Sequence, residues 1–315
     1  MRETEVVAVA HTRFPQLHVG RPVQVGAVSV FPVWTDAPQV RGLGSGFGSV
    51  TVAEREGAPV VGELVVANHG TSPVLLLAGE LFEGGWQHRA LVRDVVLEAG
   101  RTAVVPVSCV EQGRWTGHDG ADTQVRRGRR ASLTVRAAQG SSPTTQRGVW
   151  ERVRRFDEAL GGSATGSLLH HLDRGEVDRP GAMPLATPEA PPVPPVLDGQ
   201  RGVLLGIGGQ PAVLELFPTT SLLRRRLPAL LAAAQLDAML LPPQATPARR
   251  ARRFLSRVDG LLAAPGGFTR RSVLGEDGEV VEGEDALVRL DGVLWRDRLA
   301  HLTIVNRVHE LVLAA

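Results

Sequence analysis

The chain has 315 residues, enough for one large or two ordinary domains with a real core. Hydrophobic residues make up 43% and charged residues 22%, the balance of a globular protein rather than a fibrous or disordered one. All 35 of its Lys/Arg positions are Arg, set against 33 Asp and Glu for a net charge of +2. This excludes Schiff-base or P-loop chemistry on a Lys, and bulk charge calls for no polyanionic partner.

In chain order, the first 112 or so residues read as β. Short Val-rich runs at 26–33, 49–53, 60–67 and 74–78 are bounded by Gly, Pro or acidic residues. The runs 90–97 and 102–110 flank Glu98-Ala99-Gly100-Arg101, a hairpin signal. Residues 116–141 are polar and Gly/Arg-rich and read as a long surface loop. A helix is expected over about 143–160, with Ser142 as cap, Val149, Trp150, Val153, Phe156 and Leu160 on one face, and Gly161-Gly162 as its stop. Residues 173–200 show no periodicity and contain Pro191-Pro192-Val193-Pro194-Pro195, a Pro-rich linker or excursion.

After residue 200 the pattern is mixed. Runs on either side of Gly208-Gly209 predict a hairpin. Thr219 or Thr220 caps a Leu/Ala-rich helix that Pro228 should kink or divide, and Thr246-Pro247 opens a second helix rich in Arg. Its Arg side chains should be solvated or paired with an acidic loop at 275–285. Strands at 287–290, 293–295 and 299–305, joined at Asp291-Gly292 and Asp297-Arg298, close the chain as a meander. The expected fold is α+β: an N-terminal antiparallel β sandwich or twisted sheet, then a hairpin, helices and the meander. The expected units are 1–172, the linker or excursion 173–200, and 201–315.

Two segments concentrate polar side chains. In 77–89, a strand-like run bends at Gly84-Gly85 and carries Glu80, Glu83, Gln87, His88 and Arg89. In 104–115, a second run ends in Glu111, Gln112, Gly113, Arg114 and Trp115. A solvated turn and a polar strand exit would explain both. Against that, Glu80 follows an apolar run where an unpaired carboxylate is costly to bury, and an ion pair with Arg89 would answer the cost. Alternation puts Val105, Val107, Cys109 and Glu111 on one face, so Cys109 reads as a small buried hydrophobe.

Other signals have plain readings. The lone cysteine excludes an intrachain disulfide and a Cys-cluster metal site. Gly-rich 42–48 reads as a flexible loop, and His170-His171 as a helix-surface pair without metal-ligand spacing. Arg clusters at 126–130, 224–226 and 249–257 have few aromatics for base stacking, which are 4% of the chain, so nucleic acid is not the expected partner. The apolar stretch 227–241 is interrupted by Pro228, Gln235 and Asp237, so no membrane span is expected. With no signal peptide visible, a cytoplasmic location is expected.

Several of these residues carry a resemblance. Asn68, the run Pro73-Val74-Leu75-Leu76-Leu77 with Gly79-Glu80, Gln87, Arg89, and Val105 through Cys109-Val110-Glu111-Gln112-Gly113-Arg114-Trp115 resemble the ARG-and-Rhodanese-Phosphatase-superfamily-associated domain family. Gln146, Trp150, Ser163, Thr165, the hairpin from Gly202 to Phe217, and Asp237-Ala238 extend the likeness over most of the chain. Family members more often carry Ala-Lys-Gln-Asn-Arg where this chain has Gly85-Trp86-Gln87-His88-Arg89. The resemblance implies a bacterial setting linked to ADP-ribose or NAD-derived metabolites, and implies no particular reaction.

The expected site combines Glu80 and Glu111, as orienting or general-base carboxylates, with Gln87, Arg89, Arg114 and Trp115 as binding residues. The guanidinium forks suit phosphate or carboxylate, and the indole suits a flat base. No metal or cofactor is expected. The expected function is a ligand-binding or accessory protein of an ADP-ribose or NAD-linked system, with a small-molecule, nucleotide-derived ligand. A hydrolase acting on a nucleotide-derived or ADP-ribosyl substrate and a protein-binding scaffold are the alternatives.

Overall fold

A computed structural model describes residues 16–57, 60–114, 123–139, 143–177 and 193–313. The strands before residue 131 are β1 (Leu17–Val19), β2 (Val23–Val25), β3 (Val28–Thr35), β4 (Val50–Ala53), β5 (Glu63–Asn68), β6 (Val74–Leu76), β7 (Glu80–Gly84), β8 (Arg89–Leu91), β9 (Val95–Leu97), β10 (Thr102–Cys109) and β11 (Thr123–Arg130). Helices α1 (Leu133–Arg136), α2 (Pro143–Leu160) and α3 (Leu168–Val177) follow. The remainder comprises β12 (Gly202–Ile207), β13 (Gln210–Leu216), α4 (Thr220–Ala238), α5 (Ala248–Ala263), β14 (Thr269–Ser272), β15 (Glu279–Glu284), β16 (Val288–Trp295), β17 (Arg298–Asn306) and α6 (Glu310–Leu313). The molecule is thus mixed but mostly antiparallel β.

Strands β10, β5, β4, β11, β7 and β8 form a closed barrel. Its apolar interior draws on β4, β5, β7, β8 and β10, through Val52, Leu64, Val66, Phe82, Leu91, Val105 and Val107. Closure leaves no free sheet edge in this unit. The second body is a nine-stranded sheet in the order β1-β3-β12-β13-β17-β16-β15-β14, with β2 also on β3. It is covered on both faces. Val203, Leu205 and Val213 pack with Leu223, Leu227 and Leu230 of α4. Leu204, Leu214 and Ile304 pack with Phe254 and Val258 of α5 on the other side. Two-sided cover explains why β12 is buried at every position and reads as an unbroken apolar run.

Several expectations hold in detail. Helix α2 spans 143–160 with Val149, Val153 and Phe156 buried, and its proposed cap Ser142 lies outside the described residues. Gly208 and Gly209, at φ of 56° and 77°, make the tight turn of the β12–β13 hairpin. Thr219 caps α4 by accepting from Leu222 N at 3.2 Å.

Others are corrected. The N-terminal unit contains a barrel, not a sandwich, and its β1–β3 leave it to join the C-terminal sheet, where β3 pairs with β12. The division at 173–200 therefore does not coincide with a sheet boundary. Part of that segment belongs to α3, and residues 178–192 lie outside the described ones. The 116–141 loop contains β11 and α1: the Arg run is a barrel strand, which its charge disguised. Strands β9 and β10 do not pair as a hairpin; β9 pairs with β6, and β10 with β5 and β8. Asp291-Gly292 is not a turn but the middle of β16, and the acidic loop contains β15. Helix α4 continues through Pro228. Thr246 spends its hydroxyl on the Gln210 carbonyl, leaving α5 without a side-chain cap. His171 is no surface residue: it is 1% exposed and lies 2.8 Å from Asp157 Oδ1. Part of the Gly-rich loop is ordered against the barrel, with Ser45 and Gly46 carbonyls accepting from Arg126.

Candidate functional site

The two polar segments meet. Gln87 Nε2 donates to the Glu111 carbonyl at 3.0 Å, His88 N donates to Glu111 Oε2 at 3.1 Å, and Arg114 Nη1 donates to the Gly85 carbonyl at 2.8 Å. Arg114 also donates to Glu111 Oε2 through Nε and Nη2, and Thr165 donates to Oε1 at 2.9 Å. Burial alone would raise the Glu111 pKa, but the bonds from Arg114, His88 and Thr165 outweigh it and hold the carboxyl below its ordinary value. Burial lowers the pKa of His88. Arg89 is fully buried, donates to Gln87 Oε1 at 3.0 Å, and is held beside Glu54 and Cys109, its pKa lowered by burial. Cys109 is fully buried and burial raises its pKa; its backbone is bracketed by Gln146, which accepts from Cys109 N and donates to Cys109 O.

Glu80 lies apart from this cluster. The expected Glu80–Arg89 pair is not formed; Glu80 instead takes Arg126 at 2.6 Å and Arg226 at 3.5 Å. Trp115 lies outside the described residues. Glu111, Gln87 and Arg114 thus spend their polar atoms on each other and on backbone, pinning the 84–89 bend to the exit of β10.

Among the described residues, a large concave site lies elsewhere. A cleft of about 1010 Å³ opens between the outside of the barrel at β10, helix α2, and one face of β14–β17. Its apolar side is made by Val60, Val61 and Val104 with Trp150, and its polar floor comes from the sheet. Strand register explains that floor. Glu282, Asp291, Thr303 and Glu215 are direct cross-strand partners on β15, β16, β17 and β13. Direct partners share a face, so three carboxylates and a hydroxyl form one transverse row. In β16 the alternation is strict at this end: Arg289 and Asp291 face the cleft, and Val288 and Leu290 face the core under α5.

Like charges in adjacent strands repel, and each carboxylate is matched. Arg271 donates to both oxygens of Glu282 at 3.2 and 3.0 Å, and Arg289 donates to Asp291 at 2.9 Å. Burial in the cleft wall raises the Asp291 pKa; Arg289 opposes the rise, while Glu282 and Asp94 add to it. Behind the floor, the fully buried Glu215 meets Arg130 and Arg136 at 3.0 Å each and accepts from Thr303 at 3.1 Å. Burial would raise its pKa, but Arg130, Arg136 and His301 hold it well below the carboxylate range. His301 bridges Glu215, at 3.0 Å, to Asp94, at 2.7 Å, and Asp94 again lines the cleft. Burial disfavours the His301 imidazolium, yet the two carboxylates outweigh it and its pKa is raised.

Sequence reasoning missed these residues. Asp291-Gly292 imitates a turn dipeptide, yet Gly292 is there because a Cβ would stand 2.5 Å from the His301 carbonyl on the neighbouring strand. The one usable signal was the alternation Val288-Arg289-Leu290-Asp291.

Fold and site define a mostly antiparallel β protein with a polar, ligand-sized cleft between a closed barrel and a wide sheet. The chain belongs to the ARPP-1 family, the ARG and Rhodanese-Phosphatase-superfamily-associated Protein domain, whose sequence model matches residues 16–305. No curated protein and no solved structure is significantly similar to it. Among the described residues, no helix is long and apolar enough to cross a membrane, and no cluster of three or more His, Cys, Asp or Glu is arranged to hold a metal ion.

Proposed function

We propose that the protein is a binding or accessory component of an ADP-ribose or NAD-linked system, and that its nucleotide-derived ligand occupies the barrel–sheet cleft. The carrying observation is the row Glu282, Asp291 and Thr303 on the sheet face that lines the cleft. Carboxylates and guanidinium groups side by side suit a hydroxyl-rich molecule, and Trp150 with the valines suits a flat ring. The family's name supports the setting and leaves the ligand to be identified. The cluster around Glu111, Gln87, Arg89 and Arg114 then supports the barrel rather than contacting ligand.

Calorimetric titration with ADP-ribose tests this. Asp291→Asn and Trp150→Ala should each weaken binding about tenfold or more, as expected for loss of one hydrogen-bonded or stacked contact. Arg114→Gln, outside the cleft, should weaken it far less. The reverse order would return the site to the Glu111 cluster.

One observation favours hydrolysis as a second reading. Asp94 and Asp291 both line the cleft in different settings, Asp94 held by His301 and the Ala78 N–H and Asp291 by Arg289, so two carboxyl groups in distinct surroundings face the same space. Chromatographic detection of a product released from ADP-ribose or NAD, and lost in Asp291→Asn, would establish it.

A further inference from the structure

We infer that the inner end of the cleft receives the anionic part of the ligand, a phosphate or pyrophosphate, and that Arg136 is the residue that takes it. This rests on the cleft reading and adds the ligand's charge and its direction.

Along the outer cleft each guanidinium has its own carboxylate. Arg93 pairs with Glu276, Arg271 with Glu282 and Arg289 with Asp291. One-to-one pairs leave little net field for a ligand to feel. The inner end differs. Arg130 and Arg136 both depend on Glu215, and His301 adds a third cationic contact to the same carboxylate. Asp94 holds the other nitrogen of His301. One layer deeper, Arg126 and Arg226 share Glu80. Four guanidinium groups and an imidazole therefore face three carboxylates. A fourth carboxylate near Arg136, Asp237, accepts from the backbone N–H groups of Leu133 and Thr134, at 2.6 and 3.0 Å, and offsets one of these positive charges, leaving a smaller surplus.

Surplus positive charge in a buried network is costly until an anion balances it. The cost is visible at Arg130. It is 4% exposed, makes no hydrogen bond of good geometry through any guanidinium nitrogen, and burial together with Arg136 pulls its pKa down to about 10. Among these guanidinium groups, Arg136 is the one that lines the cleft, so the surplus reaches ligand there. Its fork is already oriented. Glu215 Oε1 accepts from Nη1 at 3.0 Å, and the side chain passes over Gly79, where a Cβ would stand 2.3 Å from Arg136 Cδ. A guanidinium held on one side and presented to a cleft on the other is suited to a phosphate oxygen pair.

The experiment is calorimetry with three probes: ADP-ribose, adenosine and inorganic pyrophosphate. ADP-ribose should bind the native protein about ten- to a hundredfold more tightly than adenosine, the worth of one or two charge-assisted hydrogen bonds. Pyrophosphate should compete with ADP-ribose, and added salt should weaken ADP-ribose more than adenosine. Arg136→Gln should remove most of the advantage while leaving adenosine unchanged, and Arg136→Lys should keep part of it. Equal affinity for ADP-ribose and adenosine, without competition by pyrophosphate, overturns the inference and leaves the cleft reading standing. An advantage that survives in folded Arg136→Gln overturns the assignment to Arg136. If neither ADP-ribose nor adenosine binds, both the inference and the cleft reading fall. The competition on native protein decides the matter should the Arg136 variants not fold.

Discussion

Glu215 has no contact with water, and Arg130, Arg136 and His301 converge on its carboxylate. Glu215→Gln keeps the shape and removes the charge, leaving those cations to a neutral amide. The expected loss is about 3–5 kcal/mol, the cost of breaking a buried pair from one side, read from urea unfolding at neutral pH. Its pH dependence has a definite sign. The folded pKa of Glu215 is depressed, so its contribution is present above the unfolded value of 4.5 and is lost as pH falls toward the folded one. The gap between native and Glu215→Gln should therefore narrow in acid; a constant gap down to about pH 2 would contradict the ion-pair account. His301 runs oppositely. Its folded pKa is raised, so its contribution is complete below the unfolded value of 6.5 and is lost as pH rises through the folded value. His301→Gln should lower stability at pH 6 and lose less than the native protein does on going to pH 9. Cys109 makes a simpler case. Fully buried, with its Sγ donating to the Glu111 carbonyl at 2.9 Å and its pKa raised by burial, it should react with a small thiol reagent only as fast as the protein opens. Reaction at the rate of a free thiol in native protein would contradict that.

At the level of elements, Asn68 organises a corner that local pairing rules misread. It ends β5, its Nδ2 donates to the carbonyls of Ser72, Leu97 and Glu98, and its Oδ1 accepts from Gly70 N at 3.0 Å. These bonds tie the exit of β9 to the end of β5, so the chain turns at 98–101 into a strand that pairs with β5 and β8. Asn68→Ala leaves several backbone groups unmatched at a 1% exposed site and should cost about 2–3 kcal/mol in chemical unfolding. A loss within the noise of the measurement would mean that water replaces the amide. The same corner shows why the Glu98-Ala99-Gly100-Arg101 turn was legible while its partners were not: turn chemistry is local, and the choice of neighbour is not. Strand β11 is the converse. Its outward side chains Arg127 and Arg129 meet Glu83, and Arg126 and Arg130 turn to Glu80 and Glu215, so a run that reads as solvated charge is a barrel strand. Helix α5 matches its reading more closely. Arg249, Arg252 and Arg253 are exposed, but the acids of 276–285 pair with Arg93, Arg270 and Arg271 instead.

For the whole molecule, the nine-stranded sheet takes three strands from the start of the chain and six from its end, with the barrel threaded between them. Fragments 16–177 and 201–313 should therefore not fold separately, because each would expose the hydrogen-bonding edge at which β3 meets β12. Poorly dispersed amide spectra for each fragment, improved on co-expression, are the expected result. A well-dispersed spectrum of 201–313 alone would show that the sheet needs no N-terminal strands. The sequence by itself determined what depends on near neighbours: the β-rich start, the span of α2, the Gly208-Gly209 hairpin, the burial of Cys109, the meeting of the 84–89 and 109–114 segments, and the family. Only the tertiary structure decided that the early strands close a barrel, that Glu80 and Glu111 part company, and that Glu282, Asp291, Thr303 and Glu215 lie in one row. Those four residues come from four strands spread over 215–303, and register between distant strands is set by packing that no local pattern records.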